Sequence, residues 1–531
     1  MCYMCAERLA LSTLPRLQFS IITLIVCVIA ACAITLAFLS LRWPVEHDLP
    51  IMLYEGYLMD EWGLVPYRDF FEMNPPGTML LNVGIHRLTG GAPVPCRVID
   101  LILLAAISGF TYRIFRRIDG PGGIVAASCF ALVYLGGGSS QSLQREYICL
   151  VPLSLSAAAV FTGPPSGRGA LWVAPLIGFL AGLAATIKPP VVLCWVPLGV
   201  YWTWSSRECA QVGEKQFPAA IVKRVILGGI GFLAPLAAVA AWLFVKGGLP
   251  RYVEILSEYY PLYSRIEGDA FVPVPGLASF LLRYFEKPVR LVAAFPFVAM
   301  AFIGAMNAIT VKDRSVVARM VTIAAMAVFA LIYVPVGGKF WFYHCIPLWY
   351  AMSLLTGFAL CAAPSSPGKL SVGHITVVFV AILSALPYGT LRYEYAMART
   401  GLVHIVKDGR VDAITEYLER QTGSSTTIMP LDVTSGAIHA MYRSRRPLYG
   451  GFIYNLHFYH DTDHPFVKAL REQLVSRFTD TAPEVIVSCE SWRPHGSGCS
   501  AEFPKLDLLM KERYAVAVEG NGFKILRRVG P

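Results

Sequence analysis

Charged side chains are scarce in this chain. Asp, Glu, Lys and Arg together make up 15% of 531 residues, against 55% hydrophobic ones. An ordinary water-soluble domain carries about 25% charged residues, so that class is excluded. Metal-ligand spacing is missing among the 13 cysteines. Cys27, Cys32, Cys129, Cys149, Cys194 and Cys361 each stand inside an apolar run, where a thiol packs as a small hydrophobe. Cys489 and Cys499, in the more polar C-terminal part, are placed to close a small disulfide loop if that part faces an oxidising compartment. No internal repeat of the kind many secondary transporters carry is visible. The first apolar run is too long for a signal-peptide core and has no small-x-small cleavage site, so it reads as a retained helix.

What is abundant is apolar sequence. Runs long enough to cross a bilayer recur at about 17–41, 94–115, 122–138, 147–163, 169–187, 189–205, 222–246, 289–310, 315–336, 345–362 and 373–390. Lys188-Pro189-Pro190 splits the fifth from the sixth, because prolines resist helix continuation. The expected fold is therefore mainly α: a polytopic transmembrane bundle of about eleven spans over residues 1–390. The net charge of +10 reports orientation rather than nucleic acid. Arg113, Arg116, Arg117, Arg168, Arg207, Lys215, Lys223, Arg224, Lys312, Arg314 and Lys369 fall in alternate loops, which the positive-inside rule places in the cytoplasm. The 46–77, 139–146, 247–287 and 337–344 loops, Lys188 and the C-terminal part then share the opposite face. Residues 391–531 gain charge and short strand-like runs (426–431, 485–489, 514–518, 523–527) between helical patterns. They read as a small extracytoplasmic α/β domain.

The 46–77 loop is the most polar stretch near the membrane, with Glu46, Asp48, Glu55, Asp60, Glu61, Asp69 and Glu72. Carboxylates beside a bilayer are costly unless solvated, paired or used. Ile51, Tyr54, Leu58 and Trp62 recur at helical spacing and predict one apolar face of a helix lying in the interface. Asp48 stands before that helix, where it is either an N-cap worth roughly 1 kcal/mol or a group offered to substrate. Gln144-Arg-Glu146-Tyr147 reads as a carboxylate at the mouth of the fourth span, or as a surface ion pair between Arg145 and a neighbour. Lys188 reads as a snorkelling lysine, and the 337–347 run as an aromatic belt that leaves Lys339 and His344 unexplained. Taken together, these loops pair carboxylates with Lys and His on one face. That set suits general-base chemistry beside a phosphate leaving group.

The run Gly63-x-x-Pro66-Tyr-Arg-Asp-Phe-Phe-Glu72 with Asn74-Pro-Pro-Gly77, after an acidic residue close to the first span, resembles the first extracytoplasmic loop of the GT-C glycosyltransferases. The nearest branch is the bacterial one related to protein O-mannosyltransferases and aminoarabinose transferases. Ile187-Lys188-Pro189-Pro190, Tyr343-His344-x-x-Pro347 and a soluble domain after the last span are similar to further elements of that pattern. The resemblance implies inverting transfer of a hexosyl or pentosyl group from a polyprenyl-phosphate donor. The acceptor would be a glycolipid, polysaccharide or protein on the extracytoplasmic face of a bacterial inner membrane. It maps the catalytic acidic residue, the general base, onto Asp48, with Glu46 as fallback. Lys188, Lys339, His344 and Arg68 fall to the donor phosphate, and Glu72, Asp69 and Glu146 to the acceptor or to a divalent metal ion. Here the family's Glu-Lys-Pro-Pro element reads Glu72-Met-Asn-Pro-Pro, with the lysine missing and one residue inserted. The competing reading is a polytopic transporter or lipid flippase, which should carry ionisable or broken-helix residues near the bilayer midplane.

Overall fold

The computed structural model describes residues 23–116, 118, 120–163, 168–209, 217–264, 297–310, 313–336, 341–360, 387–402, 404–459, 461–489 and 502–529. The helices of the first part are α1 (Thr23–Arg42), α2 (Leu49–Glu61), α3 (Pro76–Thr89), α4 (Pro93–Phe115), α5 (Gly120–Gly136), α6 (Arg145–Thr162) and α7 (Arg168–Ile187). They continue with α8 (Val196–Cys209), α9 (Phe217–Lys246), α10 (Leu249–Glu254), α11 (Phe297–Thr310), α12 (Arg314–Val336), α13 (Ile346–Thr356) and α14 (Tyr388–Thr400). Among the described residues α1, α4, α6, α12 and residues Ile221–Lys246 of α9 are long and apolar enough to cross a membrane. Shorter apolar helices lie at Pro121–Gly136, Trp172–Ile187 and Met300–Ile309. The protein is a mainly helical integral membrane protein. Residues 289–296 and 373–386 of two expected spans lie outside the described residues. The span expected at 189–205 is a 3-10 turn, Pro189–Trp195, followed by α8; the two prolines that end α7 also keep the chain from resuming an α-helix at once.

Helices α7 and α9 pack with little between their backbones. A Cβ added at Gly178 would lie 2.0 Å from the Gly228 carbonyl oxygen, and one at Gly231 2.2 Å from that of Pro175. Small residues at such contacts are how helices associate where lipid offers no hydrophobic drive. A second device ties the first loop to the bundle. The N-terminus of α3 seats on the C-terminal end of α7, where the Thr78 hydroxyl donates to Ile187 O at 3.0 Å. A Cβ at Gly77 would collide with Thr186 Oγ1 at 2.2 Å. The Asn-Pro-Pro-Gly run therefore brings the residues just before it alongside Lys188.

A buried polar knot fixes the turn between α5 and α6. Arg97 and Asp100 on α4 form an ion pair. Arg97 also donates to Ser40 Oγ at 3.0 Å and Ser142 Oγ at 2.9 Å, while Asp100 accepts from Tyr134 Oη at 2.5 Å and Leu143 N at 2.8 Å. Tied to α4 and α5 by these bonds, the turn delivers Arg145 to the head of α6.

Beyond α14 the chain forms α15 (Arg410–Gln421), β1 (Ile428–Leu431), α16 (Ala437–Arg443), α17 (Pro465–Asp480), β2 (Val485–Cys489), α18 (Pro504–Arg513), β3 (Tyr514–Gly520) and β4 (Phe523–Arg528). The sheet order is β1-β2-β4-β3, with β1 and β2 parallel and the rest antiparallel. The strands expected from the sequence all occur. Cys489 is buried at the end of β2, and Cys499 lies outside the described residues. Helix α14 runs across the 390/391 boundary expected from composition.

This C-terminal part sits on the first loop, and that corrects the reading of α2 as an interfacial helix. Tyr54, Tyr57, Leu53, Met52 and Glu55 are all buried, so α2 is covered on several sides. Helix α3 packs on one side and α16 on another. Tyr54 Oη donates to Arg446 O at 2.9 Å, and Phe71 pairs by its backbone with the chain at Gly451 and Phe452. The periodicity of α2 marks one apolar face; the other is buried by a segment almost 400 residues later, which local spacing cannot reveal.

Candidate active site

Asp48 occupies the N-cap position of α2, yet its side chain makes no capping hydrogen bond. The cap is made by the backbone, with Met52 N on Asp48 O at 3.1 Å. The carboxylate turns instead to His47, whose Nδ1 lies 3.1 Å from Oδ1. His47 adopts a left-handed backbone, φ 60°, which places two adjacent side chains together. Burial favours the neutral acid, but His47, Arg145 and the Tyr343 hydroxyl beside Asp48 outweigh it and hold its carboxyl below the ordinary range. For His47 burial again opposes the charge, and Asp48 prevails, so the imidazole is raised above its usual value. The two groups stabilise each other as an ion pair.

Next to this pair stands a second cluster. Glu146 is fully buried and receives Lys188 Nζ at 3.2 Å, His344 Nε2 at 3.3 Å and the Tyr333 hydroxyl at 2.8 Å. Arg145 joins the clusters. It donates to Asn74 Oδ1, and its charge acts on both Asp48 and Glu146. Arg145 and Glu146 are buried, so the surface ion pair expected from the sequence is not what forms. The turn held by Arg97 and Asp100 carries both inward. Lys188 likewise does not snorkel. Tyr343 is buried with its ring 5.6 Å from that of His47, so it belongs to the site rather than to an aromatic belt.

A third group lies on the far side of Asn74. Glu72 accepts from Met73 N, Asn74 N and Asn74 Nδ2 at 2.6–2.8 Å and from the Tyr454 hydroxyl of the C-terminal part at 3.1 Å. Glu55 accepts from Asn82 Nδ2 at 3.1 Å. Burial first, and then the Glu72 carboxylate, push Glu55 well above the carboxylate range. Glu72 shapes the loop through its bonds to Met73 and Asn74.

The remaining expected residues are placed elsewhere or lie beyond view. Glu46 accepts from the Ser139 hydroxyl on the opposite side of His47. Arg68 and Asp69 pair with each other at 2.7 Å, and Arg68 also donates to Lys246 O at 3.0 Å. They brace the loop against α9 and stand apart from the clusters. Lys339 lies outside the described residues. Glu72, Asp69 and Glu146 do not converge: Glu72 and Asp69 bond within their own loop and Glu146 faces Lys188, His344 and Tyr333, and among the described residues no group of three metal-ligating side chains forms. The residues given to a divalent metal therefore do not fit one, and no step is derived through it. Sequence reasoning passed over Arg145 as a site residue, and also His47, Tyr343, Tyr333 and Asn74. The adjacency of Arg145 to Glu146 and of His47 to Asp48 was a visible signal; Tyr333, inside an apolar span, gave none.

Residues 73–227 match the family model described as dolichyl-phosphate-mannose-protein mannosyltransferase. That segment holds Asn74, Arg145, Glu146 and Lys188. No curated protein matches the chain by sequence. Among solved structures, ArnT from Cupriavidus metallidurans bound to undecaprenyl phosphate is 13% identical with a TM-score of 0.58, over 95% of this chain and 99% of that one. The apo form of the same protein is 14% identical with the same TM-score and coverage. Residues 73–227 thus carry the sequence likeness to that mannosyltransferase family, and the fold over nearly the whole chain is similar to that of ArnT.

Proposed function

We propose that the protein transfers a sugar from a polyprenyl-phosphate donor to an acceptor hydroxyl, with inversion, at the extracytoplasmic face of a bacterial inner membrane. The observation that carries this reading is the join at Arg145: a carboxylate free of capping duty, Asp48, stands beside a buried group in which Arg145 and Lys188 supply positive charge, with the His344 imidazole next to them. In the reaction Asp48 accepts the proton of the acceptor hydroxyl as its oxygen attacks the anomeric carbon. Attack comes from the face opposite the phosphate. The bond from that carbon to the phosphate oxygen breaks, and polyprenyl phosphate departs with the bonding pair. The charge that builds on it is met by Arg145 and Lys188, fixed in place by Asn74 and Glu146 so that little reorganisation is needed. A positioned base contributes about 10² to 10⁴ in rate. Glu146 keeps the cations oriented, and the fallback, Glu46, is held off by Ser139. The lipid of the bilayer and the polyprenyl chain of the donor are the partners this implies.

The test is to incubate purified protein in lipid with a panel of polyprenyl-phosphate hexoses and pentoses and to follow release of polyprenyl phosphate. The anomeric configuration of the product is then read by NMR. Release with an inverted product supports the reading. No release from any donor, or a retained configuration, sinks it.

A further inference from the structure

A polar cavity of about 490 Å³ is lined by Glu46 and by none of Arg145, Lys188 and His344. Its walls are the Gly136–Ser139 turn after α5, the first turns of α14 and the chain at His404. Its volume falls within the range of about 300–1,000 Å³ typical of small-molecule sites. Glu394, buried, is held in the wall by the Trp43 indole, which donates to Oε1 at 2.8 Å, and by His404 Nε2, 3.2 Å from Oε2. Tyr393 beside it has its ring 5.7 Å from that of His404. Thr390 donates to Gly136 O at 3.1 Å. Gly138, at φ 79°, lets the turn bend there.

The lining contains two carboxylates, a histidine, a tyrosine ring, two hydroxyls and bare glycine backbone, and neither lysine nor arginine. The cluster whose Arg145 acts on Asp48 is the reverse, with Arg145 and Lys188 beside Glu146. The two groups of residues near the candidate base are thus of opposite character. A phosphate or pyrophosphate would be repelled from the Glu46–Glu394 cavity. A group rich in hydroxyls would be held, since each carboxylate oxygen keeps a lone pair beyond its present partner and the exposed tyrosine face takes the C–H side of a sugar ring. Glu46 stands two residues before Asp48, so a ligand in the cavity abuts the segment that carries the base.

We infer that this cavity binds the uncharged, polyhydroxylated head of the acceptor, a carbohydrate rather than a phosphate, and presents one of its hydroxyls toward Asp48. The inference rests on the glycosyl-transfer reading and adds the acceptor class to it. It divides the site into a cationic half for the donor phosphate and an anionic half for a neutral sugar.

The test uses the full-length protein in lipid nanodiscs and a methyl glycoside carrying a diazirine as photoprobe. Labelling is expected in peptides that contain residues 136–139 or 387–402. An excess of plain methyl glycoside should suppress it, and the corresponding sugar 1-phosphate should not. Gly389→Trp should lower labelling about tenfold, the factor that 1.4 kcal/mol of lost binding represents. A side chain there starts in open space, since a Cβ at Gly389 meets nothing within 4 Å. The melting curve of the variant is recorded beside that of the wild type to show that it folds. Glu394→Gln, which keeps an acceptor for the Trp43 indole, should likewise weaken suppression by the glycoside. Labelling confined to other segments, labelling alike in wild type and Gly389→Trp, or equal suppression by the sugar phosphate overturns the inference. Labelling needs no turnover. Donor cleavage assayed on the same preparation therefore tests the glycosyl-transfer reading separately.

Discussion

At the scale of single residues, the decisive fact is that Asp48 sits at a cap position without capping. Asp48→Asn removes the proposed base and takes no capping bond from α2, since the side chain makes none. Melting should fall only by what the ion pair with His47 contributes, while turnover falls by about 10² or more. Rates near wild type with donor and acceptor saturating would move the role to Glu46 or end it. The neighbouring histidine gives a sharper test. Asp48 has a lowered pKa, so its contribution to stability is present above the unfolded value and is lost as pH falls through the folded one. His47 is raised, so its contribution is present below its unfolded value and is lost as pH rises through the folded one. The pair is complete between those two limits. With His47→Ala, burial acts on Asp48 with less opposition, and the acid limb of kcat/KM should move to higher pH. A limb that stays in place would detach His47 from the base. Arg145→Gln addresses the leaving group: losing a charge-assisted bond worth roughly 1.5–3 kcal/mol should raise donor KM about tenfold or more, measured with a fixed acceptor. Unchanged donor KM and kcat would remove Arg145 from the phosphate site.

At the scale of elements, the site depends on helices that approach closely where glycine permits. On α9, Gly231 presses on Pro175 O, whereas a Cβ at Gly229, two residues away, meets nothing within 4 Å. Gly231→Leu should therefore force α7 and α9 apart and lower the melting temperature in detergent, by a cost on the order of the 1–3 kcal/mol of overpacking. Gly229→Leu should leave it nearly unchanged. Equal effects would show that the contact is not what holds the pair. Displacement of α7 also moves Ile187 and with it Lys188, so the first variant should lose activity in parallel.

At the scale of the whole molecule, the C-terminal part is a lid on the first loop and reaches the site through Tyr454 and Arg446. Truncation after residue 400 would uncover Tyr54, Tyr57 and Phe71 and leave Glu72 without the Tyr454 hydroxyl. We expect such a protein to lose donor cleavage and monodispersity in detergent together, read by size-exclusion chromatography and polyprenyl-phosphate release. A truncated protein that stays monodisperse and active would make that part an accessory. The same arrangement predicts that single cysteines at positions 69 and 440 react with a membrane-impermeant reagent from the same side. Opposite sides would contradict the proposed orientation.

The division between what was legible in the chain and what was not follows the range of the physical signal. Apolar runs, basic loops, the strands of the C-terminal part and the turn-rich Asn-Pro-Pro-Gly motif are local, because span length, charge placement and backbone restriction act over a few residues. They determined that this is a helical membrane protein with its polar chemistry gathered at one end, and they singled out Asp48, Glu146, Lys188 and His344. What only the tertiary structure decided is how those residues are used. Burial of α2 on several sides comes from α16, far along the chain. Arg145 turned inward, not outward, because Arg97 and Asp100 on another helix fix the turn before it. Arg68 and Asp69, alike in type to site residues, were taken up by a local brace against α9. The proposed partition into a cationic and an anionic half has no signature in composition, since Arg145 and Glu394 are distant in sequence. It arises where separate helix ends meet, because a buried charge is tolerable only beside the partner that the fold brings to it.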